Sequence, residues 1–287
     1  MSFESFELSQ IDVGEVTLRV RHGGAGPPLL LLHGYPETHM MWWAVADELA
    51  KDFTVIAPDL RGYGKSTPPA DSDDHETYSK RAMARDAIAL MRHFGFERFD
   101  IASHDRGARV GYRLALDQPA AVRKLTVMDI VPTGEAWARA DWRFALGYWH
   151  WSFLAQPNAE ALIRPDPELF FFHAQFRSIV KTFEPYADYL ACAKDPSVIH
   201  AMCEDYRAGA TYDRLADEAD RAAGRTIACP VQALWGAKGA LPAWYDTLEV
   251  WKPWAPDLRG QALDCGHFLP EEKPAETLSA LRSFHGA

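Results

Sequence analysis

The stretch around Asp105 is the part of this sequence best suited to chemistry. The apolar run Phe99–Ala102 predicts a buried strand, and the residues Ser-His-Asp-Arg-Gly follow it with Asp105 at their centre. This pattern is typical of a nucleophile elbow, which is a sharp turn from a strand into a helix. In such an elbow the strand is followed by a small residue, the nucleophile comes two positions later, and a glycine comes two positions after the nucleophile. Such a turn lifts its central side chain above the edge of the sheet. We therefore predict that Asp105 faces a reaction site.

An aspartate at the elbow restricts the reactions that the turn can support. Because a carboxylate is ionised at neutral pH, it needs no base to activate it. It attacks amides and esters weakly, but it can displace a halide or an epoxide oxygen from a saturated carbon. The competing interpretation is that Asp105 only caps the helix that follows. Partner residues elsewhere in the chain favour the nucleophile.

Two of these partners are predicted to complete a catalytic triad. His267 lies in a Gly-His loop between the last strand-like run, Leu258–Leu263, and the final helix, so we predict that it is the base. Asp129 ends the strand-like run that follows the helix after Asp105. Catalytic residues gather at the carboxyl ends of parallel strands, and we predict that Asp129 orients His267.

A second turn is predicted to supply backbone donors. The residues His-Gly-Tyr-Pro follow directly on the apolar run Leu29–Leu32. Together with a nucleophile elbow, such a turn provides one N–H group of an oxyanion hole, and the residue after the nucleophile provides the other. We predict that these are the N–H groups of Tyr35 and Arg106. His33, at the start of the turn, is then predicted to be structural and not the base.

The elements around these residues predict an α/β fold. Short apolar runs alternate with helical patterns, which favours a mostly parallel sheet with helices on both faces. From 132 to 224 the chain is helical, rich in Trp and Phe and without a good strand. We predict a core of residues 1–131 and 225–287 and an inserted helical cap at 132–224, above the carboxyl ends of the strands. The strand-like runs are Glu15–Val20, Pro28–Leu32, Phe53–Ala57, Phe99–Ala102, Lys124–Met128, Pro230–Trp235 and Leu258–Leu263.

The composition excludes several classes of protein. No apolar run reaches the roughly 18 residues that span a bilayer, and the N-terminus lacks the features of a signal peptide. The four cysteines do not have the spacing of a metal site. The chain has 30 Lys and Arg residues and 40 Asp and Glu residues, and the resulting net charge of −10 disfavours nucleic-acid binding. We expect a cytoplasmic protein with reduced thiols, no metal or cofactor, and no nucleic-acid or membrane partner. An anionic substrate would need local positive charge.

These motifs resemble those of the α/β-hydrolase superfamily and, within it, of the haloacetate (fluoroacetate) dehalogenases. The resemblance runs from about residue 27 to the final helix, and it rests on His-Gly-Tyr-Pro, Asp-Leu-Arg-Gly-Tyr-Gly-Lys-Ser at 59–66, the elbow and Gly266-His267, in that order. It implies an α/β-hydrolase fold and a hydrolysis of fluoroacetate or chloroacetate to glycolate and halide through an ester on Asp105. It also implies a homodimer that needs no cofactor.

Further matches imply how a haloacid would be bound. By the resemblance, Arg106 and Arg109 grip the substrate carboxylate, for which guanidinium forks are well shaped. His150 and Trp151 in the cap face the leaving halide, and Tyr206, or as an alternative Tyr212, brings a third donor. Fluoride is a small, strongly hydrated anion and a poor leaving group, so it needs several fixed donors.

Three other functions stay open at this point. Epoxide hydrolases use the same Asp-His-Asp triad but usually place two cap tyrosines on the epoxide oxygen. Haloalkane dehalogenases act on neutral substrates, so neither class needs the two arginines beside Asp105. A non-catalytic small-molecule receptor would not need a complete triad. An assay for halide release from chloroacetate would separate these functions.

Overall fold

Among the residues that the structure describes, eight strands form one central sheet. This computed structural model describes Phe3 and residues 6–176 and 179–286. The strands are β1 (Glu7–Asp12), β2 (Thr17–Gly23), β3 (Pro28–Leu32), β4 (Thr54–Pro58), β5 (Phe99–His104), β6 (Val122–Met128), β7 (Val231–Gly236) and β8 (Leu258–Leu263). Across the sheet they lie in the order β1-β2-β4-β3-β5-β6-β7-β8, with β1 and β2 antiparallel to their neighbours and β3 to β8 parallel. This arrangement confirms the predicted fold class.

The burial of each strand explains which strands the sequence predicts. Every residue of β3 and of β5 is buried, as expected of inner strands that are covered on both faces. β1 has no counterpart among the predicted strands, and Ile11 is its only buried residue. It pairs with β2 along its whole length, from Glu7 opposite His22 to Asp12 opposite Thr17. An edge strand that is mostly exposed lacks the apolar run that reveals an inner one.

Helices connect the strands. The helix Lys80–His93 packs against the helix Asp105–Asp117, and the helix Trp43–Leu49 packs against the helix Pro274–His285. In chain order the helices are α1 (Trp43–Leu49), α2 (Lys80–His93), α3 (Asp105–Asp117), α4 (Thr133–Ala138), α5 (Trp142–Gly147), α6 (Trp149–Leu154), α7 (Ala159–Ile163), α8 (Tyr186–Ala193), α9 (Pro196–Ala210), α10 (Tyr212–Ala222), α11 (Leu241–Trp244), α12 (Thr247–Trp251), α13 (Leu269–Glu272) and α14 (Pro274–His285). Within the described ranges, none of them is long and apolar enough to cross a membrane.

The segment between β6 and β7 has helices and no strand in its described part. α9 lies at its centre, where it contacts α6, α7, α8 and α10. The side chain of Asp195 caps the first turn of α9 by accepting from Ser197 N–H, and Pro196 is its first residue. The segment begins at the carboxyl end of β6, beside Asp129. The division into a core and a cap at residues 132 and 224 stays a prediction.

Candidate active site

Asp105 lies at the junction of β5 and α3, where the chain turns sharply. Its φ of +41° is in the left-handed region, which a residue other than glycine adopts only when its surroundings hold it there. Two glycines make room for this turn. A Cβ atom on Gly107 would lie 2.3 Å from the carbonyl oxygen of His33, and one on Gly34 would lie 2.7 Å from Cβ of Asp105. The elbow therefore packs directly against the turn after β3.

The carboxylate of Asp105 is held in its charged form. The N–H group of Tyr35 donates a hydrogen bond of 3.1 Å to its Oδ2 atom. Burial acts to raise the pKa of Asp105, but the electrostatic effects of His267, of the nearby His104 ring and of the two arginines outweigh it, so this pKa lies below the ordinary value. The group is therefore ionised at neutral pH. The N–H group of Tyr35 thus points at the nucleophile, as predicted for one donor of the oxyanion hole. Arg106, the predicted second donor, is the second residue of α3, where the N–H groups have no hydrogen-bond partner within the helix.

His267 and Asp129 form a close pair. Nδ1 of His267 lies 2.6 Å from Oδ2 of Asp129, and the other carboxylate oxygen accepts from the N–H group of Gly236 at 2.9 Å. Burial acts to lower the pKa of His267, but the hydrogen bond and charge of Asp129, with the charges of Asp105 and Glu37, raise it to about 9. Because Nδ1 donates to Asp129, Nε2 is the nitrogen that can accept a proton when the ring is neutral.

The backbone carbonyl of His267 is held by His104, which in turn contacts Glu37, and sequence reasoning missed both of these buried residues. His104 Nε2 lies 2.8 Å from the carbonyl oxygen of His267, and its Nδ1 lies 3.2 Å from Oε2 of Glu37. A carbonyl only accepts, so Nε2 carries the proton. Burial lowers the pKa of His104 to about 4 and raises that of Glu37 to about 7, so the His104 ring is neutral and its Nδ1 atom faces the Glu37 carboxyl group. The sequence offered one indication of their role: His104 directly precedes Asp105, and Glu37 directly follows His-Gly-Tyr-Pro.

His33 has the structural role that its sequence context predicts. Its Nε2 atom accepts from the N–H group of Leu60 at 2.9 Å, and its Nδ1 atom lies 2.8 Å from the carbonyl oxygen of Gly34. Burial lowers its pKa to about 4. Both ring nitrogens are engaged in holding the turns after β3 and β4.

Arg106 is bound by an acidic residue of α9. Its Nε and Nη2 atoms donate to the carboxylate of Asp205 at 3.0 and 2.5 Å, while its Nη1 atom is buried without a hydrogen-bond partner among the described residues. Asp205 also accepts from the hydroxyl group of Tyr63 at 2.6 Å and from the ammonium group of Lys80. One side of the Arg106 fork is thus occupied. Arg106 is not among the residues that line the cavity in front of Asp105, and Nη1 is its one guanidinium nitrogen without a described partner. Sequence reasoning missed Asp205, although it precedes Tyr206.

Arg109 borders the cavity in front of Asp105. Its Nη1 atom donates to the carbonyl oxygen of Val131 at 3.1 Å and to the hydroxyl group of Thr133 at 3.0 Å. Its guanidinium carbon lies 4.6 Å from the ring centre of Trp151, and its Nε atom is buried without a described partner. These contacts fix the guanidinium plane at the cavity wall, so Arg109 offers the local positive charge that an anionic substrate needs.

The three residues predicted to bind halide are all buried and lie close together, but only two of them line the cavity. These two are His150 and Trp151, both on α6, whereas Tyr206 on α9 is not among the lining residues. The Tyr206 ring centre lies 5.8 Å from that of His150 and 4.3 Å from the guanidinium carbon of Arg106. Burial lowers the pKa of His150 to about 3, so its ring is neutral and has one N–H donor. The alternative residue, Tyr212, is half-buried and hydrogen-bonds Arg81 instead.

One cavity of about 440 Å³ brings these groups together. Phe176 stacks on His267, with ring centres 6.1 Å apart and planes 4° from parallel. Sequence reasoning missed several of the lining residues. Some come from separate loops, and others belong to the aromatic-rich segment between β6 and β7, whose aromatic side chains were expected to be buried by packing against one another. The lining includes Asp105, Asp129, His267, Arg109, His150 and Trp151, and also Tyr148, Gln175, Phe176, Lys238 and Glu272.

Comparison with known proteins identifies the family to which this fold belongs. A model of the alpha/beta hydrolase fold family matches residues 27–274. The fluoroacetate dehalogenase of Burkholderia sp is 43% identical over 98% of this chain and 94% of its own length, and the soluble epoxide hydrolase of a Corynebacterium species is 33% identical over 91% of each. A solved structure from Nostoc, assigned to the alpha/beta hydrolases, is 47% identical and covers 99% of both chains with a TM-score of 0.93. This chain belongs to the alpha/beta hydrolase fold family and, within it, is a relative of the Burkholderia fluoroacetate dehalogenase.

Proposed function

We propose that the protein is a haloacetate dehalogenase, which converts fluoroacetate or chloroacetate to glycolate and halide. The observation that carries the proposal is the cavity that Asp105, His267 and Arg109 share. It combines an ionised nucleophile, a base for a second step and a cation for the substrate carboxylate. The 43% identity to a fluoroacetate dehalogenase over nearly the whole chain supports it.

The first step is a displacement at the α-carbon of the substrate. A carboxylate oxygen of Asp105 forms a bond to this carbon, and the carbon–halogen bond breaks as the halide leaves with the bonding electrons. Arg109 and the free Nη1 atom of Arg106 bind the substrate carboxylate. The ring N–H groups of His150 and Trp151 stabilise the departing halide, with Tyr206 as the proposed third donor.

The second step hydrolyses the ester on Asp105. Nε2 of His267 takes a proton from water, and the oxygen of this water attacks the carbonyl carbon of the ester. The oxyanion that forms accepts hydrogen bonds from the N–H groups of Tyr35 and Arg106. When the tetrahedral intermediate collapses, glycolate leaves with the proton returned from His267, and Asp105 is left as a carboxylic acid. This acid gives its remaining proton to solvent, which restores the Asp105 carboxylate. Asp129 orients the ring and stabilises its charged form.

Halide release is the direct test of the proposed function. The purified protein is incubated with chloroacetate, fluoroacetate, a 1-chloroalkane and a terminal epoxide, and halide and diol are measured. We expect halide from the two haloacids and little turnover of the neutral substrates. Turnover of the epoxide with no halide from chloroacetate would contradict the proposal.

The proposed halide donors should matter most for the poorer leaving group. Trp151→Phe and Tyr206→Phe each remove one donor; the second keeps the six-membered ring, and the first replaces the indole with a smaller aromatic ring. Because a hydrogen bond to a charged group contributes about 1.5–3 kcal/mol, we expect kcat/KM for fluoroacetate to fall about tenfold or more, and that for chloroacetate to fall less. Trp149→Phe is the control, since Trp149 packs against Phe153 and Phe170. Equal losses on both haloacids would indicate a packing role.

The two steps should respond differently to pH. Asp105 is ionised well above its lowered pKa, so the rate of the halide burst should be flat above about pH 5. Ester hydrolysis needs neutral His267, so its rate should rise with pH and level off above the pKa of that group. The charge of Asp105 is one of the causes that raise the pKa of His267 to about 9. Because esterification removes this charge, the midpoint of the pH profile of ester hydrolysis should lie below 9. Rapid-quench measurements of both rates test this. A burst that rises with pH in parallel would mean that His267 acts in the first step.

Epoxide hydrolysis is a second candidate function. Tyr148 in the predicted cap lines the cavity, as Tyr35 does, and Tyr206 lies behind the same wall, so two cap tyrosines are near the site in addition to Tyr35. The 33% identical soluble epoxide hydrolase supports this alternative. The arginine at the cavity favours the haloacid, and the substrate comparison above decides between them.

A further inference from the structure

We propose that Glu272 is a positioning residue of the ester-hydrolysis step, whose carboxylate fixes the loop that carries His267. One carboxylate oxygen accepts from the N–H group of Gly266 at 2.8 Å, and the other accepts from the N–H group of Phe268 at 3.0 Å. The two donors are the residues directly before and after His267. Glu272 is the last residue of α13, and its side chain reaches back over the loop.

The residue at 266 must be small for this contact to form. A Cβ atom on Gly266 would lie 2.9 Å from Oε1 of Glu272 and 3.2 Å from its Oε2. The Gly-His pair that marks the base in the sequence is thus explained by the approach of a carboxylate to the backbone. Glu272 also lines the cavity, so the contact lies at the reaction site.

The contacts on the two sides of His267 hold different parts of it. Glu272 holds the flanking N–H groups, His104 holds the carbonyl oxygen, and Asp129 holds Nδ1 of the ring. Hydrogen bonds to a charged acceptor are about twice as strong as neutral ones. Without Glu272, the Cys265–Gly266 and His267–Phe268 peptides would each be held only at their carbonyl oxygens, by Lys238 N–H in the first and by His104 and Leu269 N–H in the second. The loop and the ring of His267 would then shift relative to the ester. A displacement of about 1 Å at a reacting group can cost on the order of 100-fold in rate.

This inference rests on the proposed function, because it concerns one of its two steps. His267 takes no part in the displacement of halide, so Glu272 should not affect that step either. The effect of a substitution should therefore fall on ester hydrolysis alone. A residue that only maintained the fold would instead change both steps or the number of working sites.

Glu272→Gln is the test variant, because it keeps the size of the side chain but places an amide donor against one of the two N–H groups. Glu276→Gln is the matched control, since Glu276 is largely exposed and pairs with Lys273 at 3.3 Å. Chloride release and the ester on Asp105 are followed by rapid quench and mass spectrometry with chloroacetate. The burst amplitude counts folded sites, so partial unfolding lowers the amplitude and leaves the decay constant of the ester unchanged.

We expect a burst rate within about twofold of the native enzyme and an ester that decays about tenfold or more slowly in Glu272→Gln, with no change in Glu276→Gln. In a His267→Ala background, Glu272→Gln should slow ester decay no further, because the residue acts through His267. Equal slowing of both steps, an unchanged decay, or further slowing without His267 would overturn the role of Glu272. If the native enzyme formed no ester on Asp105, the proposed function itself would fall, and this inference with it.

Discussion

A His267→Ala variant is expected to release about one equivalent of halide per active site and then stop. Asp105 is ionised without a base, so the displacement needs no proton transfer to His267. The ester that results needs an activated water, which the variant cannot supply. Mass spectrometry of the protein after reaction with chloroacetate should find the substrate-derived group on the peptide that contains Asp105.

Two controls accompany this variant. Asp105→Asn keeps the shape of the side chain but removes the charged nucleophile, so it should release no halide. In the native enzyme, one turnover in ¹⁸O-labelled water should place the label in Asp105 before it reaches glycolate, because water attacks the carbonyl carbon of the enzyme ester. Label in the glycolate of the first turnover would show that water attacks the substrate directly, and Asp105 would not be the nucleophile.

An Arg109→Lys variant is expected to lose about tenfold or more of kcat/KM toward chloroacetate. The contacts to Val131 and Thr133 hold the guanidinium plane at the cavity wall, and a lysine cannot reproduce its fork. A hydrogen bond to a charged group contributes about 1.5–3 kcal/mol, and 1.4 kcal/mol corresponds to a factor of ten. Steady-state kinetics with a haloacid and with a neutral epoxide provide the measurement.

The choice of control separates binding from folding. Arg85→Lys alters an exposed arginine that pairs with Glu76, and should leave the kinetics unchanged. Arg106→Lys should lower both activity and thermal stability, because Asp205 would lose its paired guanidinium in a buried site. If Arg109→Lys kept its full kcat/KM for chloroacetate, the proposed carboxylate site would be wrong. Equal losses on the haloacid and the epoxide would indicate a role in the structure of the wall.

The sequence by itself determined the fold class and the pairing of His267 with Asp129. Inner parallel strands are buried on both faces, so each one is a run of apolar residues that can be recognised in the sequence. The end of each run also locates the turn that follows the strand. The elbow is also local, because its strand, small residues and helix start are consecutive. Asp129 could be chosen because carboxyl ends of parallel strands meet at one edge of the sheet. The exposed strand β1 lacked such a signal and was missed.

Only the tertiary structure decided which partners these residues have across the fold. Asp205 is 99 positions from Arg106 along the chain, and no spacing rule predicts that it occupies one side of the guanidinium group. The same holds for His104, whose ring reaches a carbonyl oxygen 163 positions away. The burial of Tyr206 behind the cavity wall likewise depends on how α9 packs against α6. Local patterns in a sequence record backbone geometry and burial, whereas charge pairing and cavity shape arise only when distant segments come together.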